Sequence, residues 1–225
     1  MGERALHPTG VAPRGRALYP APMHLRAQAL VLSVRQHGEH NAVVRCMTRE
    51  AGMIAGYVRG GRSRTLRPVL QPANLVMGEW RARTEDQLAG LTVELIHSRA
   101  PLYSEPLASA ALEWVTALTA IALPESQAYP RLYGALDGMI GAIEAAPAAR
   151  GWAVALVRYE NLLLAELGYG LGQPPAMSGE SGWPEIIAAL ALTGREIETH
   201  LLTDRRAEAL AARARLIERL KRAVA

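Results

Sequence analysis

The chain of 225 residues is poor in cysteine, lysine and phenylalanine, and these shortages exclude several classes of protein and site. Its single cysteine, Cys46, excludes an internal disulfide framework and any multi-cysteine zinc or iron–sulfur centre, and suits a reducing compartment. The only lysine, Lys221, lies near the end of the chain, so the Gly-Lys-Ser/Thr step of a phosphate-binding loop is missing, and no lysine is well placed for Schiff-base chemistry. The longest apolar run, 186–192, is far shorter than the ~18 residues of a membrane span, so we expect no membrane partner.

The basic charge of the chain is concentrated in its first part and is carried almost entirely by arginine. Residues 1–100 contain 14 arginines and 7 acidic residues, a net charge of +7. Residues 101–225 contain 11 basic and 14 acidic residues, a net charge of −3, and the two parts sum to +4. A basic half joined to a mildly acidic half indicates two domains with different partners, the first of them a polyanion such as nucleic acid.

The first half of the chain shows the pattern of a small β-barrel after a leader. Residues 1–22 contain four prolines, three glycines and no apolar periodicity, which predicts a disordered leader rather than a secretory signal. Five short apolar segments separated by turn signals follow, and they predict strands over 25–34, 42–48, 53–59, 73–83 and 87–97. Strands at this spacing indicate a closed five-stranded barrel over 23–100, of either the OB-fold or the SH3-like kind.

The second half changes to the 3.6-residue apolar period of helices. Apolar stripes predict helices over 107–122, 132–143 and 152–167, a short helix over 184–192 and a long helix over 204–224. Residues 101–225 are therefore predicted to form an α-helical domain of about five helices. The expected fold class is α+β, with a barrel followed by a helical domain.

Several groups of residues, taken in order, resemble the bacterial RecO family. They are Arg35 to Glu39 with Thr48 to Gly52, Val58-Arg-Gly-Gly-Arg-Ser-Arg64, Leu156-Val-Arg-Tyr-Glu160 with Leu167-Gly-Tyr-Gly-Leu171, and Thr193-Gly-Arg195. Their order and spacing extend over 24–222, so the resemblance covers nearly all of the chain except the leader. It implies an N-terminal OB-fold, a C-terminal helical domain, no catalytic chemistry and no cofactor.

The same resemblance implies a set of partners. RecO proteins bind single- and double-stranded DNA, anneal complementary strands, bind the acidic C-terminal tail of the single-stranded-DNA-binding protein SSB, and pair with RecR to help load RecA. Many members also carry a four-cysteine zinc site after the Leu-Gly-Tyr-Gly segment. Residues 171–182 of this chain contain no cysteine, so we predict no metal here.

The predicted DNA site is centred on the arginine-rich loop over 59–68. Glycines let backbone N–H groups approach a phosphate, and guanidinium groups bind phosphate through two parallel hydrogen bonds. Tyr57 beside the loop either stacks on a base or packs in the core, and strand arginines such as Arg35 extend the phosphate track. The predicted DNA-binding residues are Arg35, Tyr57, Arg59, Arg62, Arg64 and Arg67. The alternative is a solvated charged loop without a ligand.

The predicted partner site lies in the helical domain. A receptor for the SSB tail needs an apolar pocket with cations at its rim. The candidates are Arg158, Tyr159, Leu163, Arg131 and Arg150, with Arg158 as the carboxylate partner. The alternatives are that Arg158 pairs within its own helix or stays a surface charge, and that Tyr159 and Leu163 pack in the core.

Three functions are compatible with these patterns. The favoured one is a non-catalytic, cytoplasmic DNA-binding mediator of recombination of the RecO type. The second is a protein-only adaptor whose barrel binds a polypeptide and whose arginines only keep it in solution. The third, a nucleic-acid enzyme, is disfavoured because no plausible catalytic arrangement stands out: His37 and His40 suit a solvated turn, and Cys46 suits a buried strand position.

Overall fold

A computed structural model describes residues 23–84, 87–146, 148–202 and 206–224. The predicted leader over 1–22 lies outside the described residues. The first half folds into the strands β1 (Met23–His37), β2 (Asn41–Thr48), β3 (Gly52–Val58), β4 (Leu75–Ala82) and β5 (Gly90–His97). A single helical turn, α1 (Leu66–Val69), lies between β3 and β4.

The five strands close into a barrel in the order β1-β2-β3-β5-β4. Strand β1 is long enough to pair with β4 through its first half and with β2 through its second half. All ladders are antiparallel except that of β3 and β5, which meet in parallel only at Tyr57 and Gly90. A closed sheet of five strands in this order is the OB-fold arrangement, as the sequence predicted.

Period-2 alternation along the strands fills the barrel interior. Val31, Val44, Cys46 and Trp80 point inward and are fully buried. Cys46 is the buried hydrophobe that its strand position predicted, and burial raises the pKa of its thiol to about 12.

The second half contains the predicted number of helices. They are α2 (Pro106–Ala122), α3 (Pro130–Ala145), α4 (Ala153–Glu166), α5 (Trp183–His200) and α6 (Arg206–Val224). The prediction for the fourth of these was wrong in length, because α5 runs past residue 192 to His200. Thr193 and Gly194 lie just beyond the predicted end, and both are buried against the rest of the bundle, so packing outweighs their low helix propensity. No described helix has the length and apolarity to cross a membrane.

The barrel and the helices share one apolar core. Leu30, Leu32, Met47 and Met53 on the outer face of the barrel pack with the buried residues of α2 to α6. Gly52, at φ +72°, lies directly against the helical half at this contact. A Cβ there would overlap the backbone of residue 127. The helices therefore cover one end of the outer face formed by β1, β2 and β3.

Two arginines join the halves with polar contacts. Arg45 on β2 donates to the Ala120 carbonyl at 3.0 Å and pairs with Glu125 at 3.0 Å. Arg99, at the end of the barrel segment, is buried and donates to the Ala73 carbonyl at 2.8 Å. Its guanidinium also lies 3.4 Å from the carboxylate of Asp137 on α3. These long-range pairs fix the barrel against the bundle.

Candidate nucleic-acid interface

A row of residues crosses the uncovered end of the barrel's outer face. Arg35 on β1 stands opposite Val43 on β2, which stands opposite Tyr57 on β3. The row continues through Gly90 on β5 to Arg81 on β4. Directly opposed residues on a sheet lie on one face, so the structure brings together the predicted residues Arg35 and Tyr57 and adds Arg81.

The arginine-rich loop after β3 is tied to the turn between β1 and β2. The Asn41 side-chain oxygen accepts a hydrogen bond from the Gly60 backbone N–H at 3.0 Å, and the His40 carbonyl accepts one from the Arg62 N–H at 3.1 Å. Gly60 adopts φ +64°, which favours glycine at that position. The Ser63 hydroxyl accepts from the Leu66 N–H at 3.2 Å and so fixes the start of α1. Hydrogen bonds donated by backbone N–H groups of the loop therefore keep it ordered.

A groove opens at the end of the barrel between this loop and the β1–β2 turn, and we call it the mouth groove. Its volume is about 890 Å³. Val34, Ala42 and Leu70 line its apolar side, and Arg62 and Arg67 line its polar side. The two arginines are exposed, so their guanidinium groups can reach a ligand in the groove.

A second groove lies at the seam where β3 meets β5, and we call it the seam groove. Its volume is about 650 Å³. Tyr57, Arg59, Arg81 and Leu88 contribute to its lining. The predicted DNA-binding residues are therefore divided: Arg62 and Arg67 face the mouth groove, whereas Tyr57 and Arg59 face the seam groove. Arg64 is exposed and lines neither groove.

Five guanidinium groups of this surface have no carboxylate partners among the described residues. Arg35, Arg59, Arg62, Arg64 and Arg67 make no ion pair within the part of the chain that the structure describes. The one hydrogen bond of this group is from Arg62 Nη1 to the Glu39 backbone carbonyl, at 3.3 Å. The Glu39 carboxylate lies instead 3.8 Å from His40. A surface that binds a polyanion needs positive charge that is not neutralised within the protein.

The remaining strand arginines contribute unequally to this surface. Arg45 does not extend the phosphate track, because it is held in the contact with the helices. Arg81 is exposed and lies on the row, but it pairs with Glu79 at 2.5 Å. Hydrogen bonds from His24 and Arg81 lower the pKa of the Glu79 carboxyl.

The predicted partner site in the helical domain is not assembled. Tyr159 and Leu163 are buried in the core and cannot line an open pocket, so this part of the prediction was wrong. The reason is that the apolar stripe of α4 packs on its neighbouring helices, and the Tyr159 hydroxyl lies 2.5 Å from that of Thr119. Burial also raises the pKa of the Tyr159 hydroxyl.

The three cations of that predicted site lie apart. Arg131 pairs with Glu166 at 2.8 Å, at the C-terminal end of α4. Arg150 precedes α4 and lies over the Trp183 ring, 5.9 Å from its centre. Arg158 is exposed and donates to the Met177 carbonyl at 2.6 Å rather than to a residue of its own helix, so its predicted contact with the SSB tail stays a prediction beside the alternative of a surface charge.

Comparison with known proteins decides the family. The family model described as Recombination protein O N terminal matches residues 23–99, and the model described as Recombination protein O C terminal matches residues 103–172. The DNA repair protein RecO of Rhodospirillum centenum is 35% identical over 87% of this chain and 94% of its own length. That of a Jannaschia species is 34% identical over 90% and 98%, and that of Gluconacetobacter diazotrophicus is 38% identical over 78% and 70%.

The chain belongs to the RecO family. The resemblance seen in the sequence is thereby confirmed, and with it a role in DNA repair and recombination.

Two of the RecO-like motifs meet in the core of the helical domain. Glu160, from the Leu-Val-Arg-Tyr-Glu segment, is fully buried and accepts hydrogen bonds from Trp114 Nε1 at 2.7 Å and from the Thr193 hydroxyl. Arg213 on α6 lies 3.5 Å from the same carboxylate. Gly194 leaves room for the Arg213 guanidinium, because a Cβ there would overlap it. These motifs therefore hold α2, α4, α5 and α6 together.

The sequence reasoning missed three residues that the structure makes important. Arg213 lies on the buried stripe of α6, and an arginine inside an apolar stripe is the signal that would have revealed it. Arg99 carried no local signal, because its partners come from distant segments. Arg81 was noted only as a strand arginine, and its place on the row depends on the pairing of β4 with β5.

Proposed function

We propose that this RecO-family protein binds the phosphate backbone of DNA through the uncovered end of its barrel and acts in repair without catalysing a reaction. The supporting observation is the set of five arginines, Arg35, Arg59, Arg62, Arg64 and Arg67, that make no ion pair among the described residues and surround an ordered loop. Because the loop backbone is already ordered, binding of phosphate costs little further backbone entropy, and the planar guanidinium groups match the geometry of phosphate.

Backbone binding of this kind is independent of base sequence and leaves the pairing edges of the bases accessible. Arginine contacts to phosphate release counterions and lower the repulsion between two strands. We therefore propose that the barrel promotes annealing of complementary strands. Binding to both single- and double-stranded DNA follows from the same contacts, because both present phosphates.

The family leads us to propose the protein partners as well. These are the acidic tail of SSB and RecR, with loading of RecA as the outcome, at the nucleoid in the cytoplasm. Because the predicted pocket on α4 is occupied by core packing, we propose the exposed Arg150 with the Trp183 ring as the site for the tail. A tail peptide should bind less tightly to Arg150→Ala than to Arg158→Ala, and equal affinity of the two variants would contradict this assignment.

The DNA proposal is tested by fluorescence anisotropy with a labelled oligonucleotide over a range of salt concentrations. If four arginines contact a single strand, the slope of log K against log salt should be about −3, from about −0.7 for each phosphate. The double variant Arg62→Ala/Arg64→Ala should reduce the magnitude of this slope by about 1.4 and weaken binding to all sequences alike.

A matched control removes the same charge elsewhere. Arg195 and Lys221 are exposed in the helical domain, and Arg195→Ala/Lys221→Ala should leave the slope close to that of the wild type. Equal effects of the two double variants would show that only net charge matters. Absence of any salt-dependent binding in the wild type would favour the protein-only adaptor, and turnover of ATP or DNA would overturn the non-catalytic assignment.

A further inference from the structure

We infer that the seam groove binds one unpaired base of a single strand, stacked on the ring of Tyr57. The inference rests on the proposed function only in that DNA must reach the barrel. It goes further in assigning a base-binding role to a groove that phosphate binding does not require, and it predicts a preference for single-stranded over double-stranded DNA.

The groove exists because β3 and β5 form only a single residue pair where the barrel closes. Strands β3 and β5 pair only at Tyr57 and Gly90, and the Tyr57 N–H donates to the Ala89 carbonyl at 2.8 Å. Gly90 has no side chain to fill the space between Tyr57 and Arg81, its neighbours in the cross-strand row. A Cβ at Gly90 would meet only the Arg81 carbonyl, at an ordinary 3.7 Å. The space is therefore open toward solvent.

The Tyr57 ring suits a stacking role. Tyr57 is partly exposed on the outer face and belongs to neither of the two apolar cores. His37 contacts its ring edge-on, with 5.6 Å between the ring centres and an angle of 83°, and so orients it. Leu88, which also lines the groove, is 50% exposed. An aromatic ring and an exposed aliphatic side chain lining one groove can hold a planar, apolar ring between them.

The charges around the groove suit the phosphates on either side of such a base. Arg59 and Arg81 both line it, and Arg59 has no ion-pair partner among the described residues. The mouth groove contains arginines but is lined by no tyrosine or tryptophan among its described residues. The two grooves therefore differ in chemistry: the seam groove suits a base with its phosphates, and the mouth groove suits backbone alone. A base paired within a duplex cannot enter the seam groove.

The test compares two single-stranded oligonucleotides of equal length and phosphate charge. One is oligothymidine, and the other replaces the central nucleotides with abasic tetrahydrofuran residues. The wild type should bind the base-bearing strand at least about fivefold more tightly, since stacking on an aromatic ring is typically worth that much or more. Tyr57→Ala should remove this difference but keep the salt slope, and Tyr57→Phe should retain the difference.

Two further variants keep the test decisive if Tyr57→Ala alters the fold. Gly90→Val places a side chain in the groove, where its Cβ would meet only the Arg81 carbonyl at 3.7 Å, and it should also remove the preference. Tyr169→Ala removes an exposed tyrosine from the helical domain and should leave the preference unchanged.

The outcomes separate this inference from the proposed function. Equal wild-type affinity for the two oligonucleotides, with the salt slope intact, would overturn the base pocket and leave backbone binding standing. A preference that survives both Tyr57→Ala and Gly90→Val would place the base elsewhere. Loss of salt-dependent binding to either strand would instead overturn the proposed function itself.

Discussion

The arginines of the barrel and those of the helical domain are used in different ways. Around the open end of the barrel, five arginines make no ion pair within the described segments. In the helical domain, Arg131, Arg213, Arg215 and Arg222 each pair with a carboxylate of that domain. Arginine is thus neutralised by a carboxylate at these four positions of the bundle, whereas it presents uncompensated charge around the open end of the barrel.

This difference shows why total charge alone does not locate a binding surface. The +7 charge of the first hundred residues includes Arg45 and Arg99, which are held in the contact with the helices. A binding surface needs instead arginines that no carboxylate neutralises.

The largest effect is expected from breaking the buried pair of the bundle. Glu160→Ala removes the carboxylate beside Arg213 and leaves a buried guanidinium without its counter-charge, so the free energy of unfolding should fall by about 3–5 kcal/mol. The exposed pair of Glu218 and Arg222 provides the control, and Glu218→Ala should cost less than about 0.5 kcal/mol. Chemical denaturation measures both. Similar small losses for the two variants would mean that Glu160 is not the centre of the core.

A smaller loss of stability is expected at the junction of the two halves. Arg99→Ala removes the hydrogen bond to the Ala73 carbonyl and the contact with Asp137, and should lower the free energy of unfolding by about 1.5–3 kcal/mol. DNA affinity should change little, because Arg99 is buried away from the grooves. Denaturation and anisotropy on the same sample test both statements. A large loss of DNA affinity without a loss of stability would contradict them.

A new carboxylate in the mouth groove should form ion pairs with barrel arginines that have none. Gln36 lines this groove together with Arg62 and Arg67, and Gln36→Glu places a carboxylate beside them. We expect DNA affinity to fall about fivefold at low salt, on the order of 1 kcal/mol, and the effect to shrink as salt is raised. Glu39→Gln removes the existing acid of the groove and should shift affinity in the opposite direction. An unchanged affinity in both variants would place the DNA away from the mouth groove.

The smallest effect is expected at Glu79, whose carboxylate pairs with Arg81 of the cross-strand row. Hydrogen bonds from His24 and Arg81 lower the pKa of Glu79, so ionised Glu79 contributes stability above its ordinary pKa, and this contribution is lost as pH falls through the lowered value. Titration by NMR should show a pKa for Glu79 below its ordinary value, and Arg81→Ala should move it upward. A pKa that does not respond to Arg81→Ala would assign the shift to His24 alone.

Much of the architecture could be predicted from local patterns. The five strands and the five helices of the bundle follow from periodicities of 2 and 3.6 residues, although β3 ends at Val58, one residue before the predicted end of that strand. The length of α5 could not be predicted, because Thr193 packs against Glu160 of α4 and Gly194 against Arg213 of α6, and both partners are distant in sequence. The site on α4 was misjudged for a related reason: one apolar stripe can line a pocket or pack on a neighbour, and the sequence is the same in both cases.

Sequence patterns alone are enough to predict the order of strands and helices, the absence of a multi-cysteine centre and the concentration of arginine before residue 100. Tertiary structure decided which arginines are neutralised, that Tyr57 faces outward beside Gly90, and that the loop divides two grooves. The physical reason is that the interactions involved act over different distances along the chain. Periodicity and turn chemistry act over a few residues, whereas ion pairs, cross-strand rows and grooves depend on segments that only folding brings together.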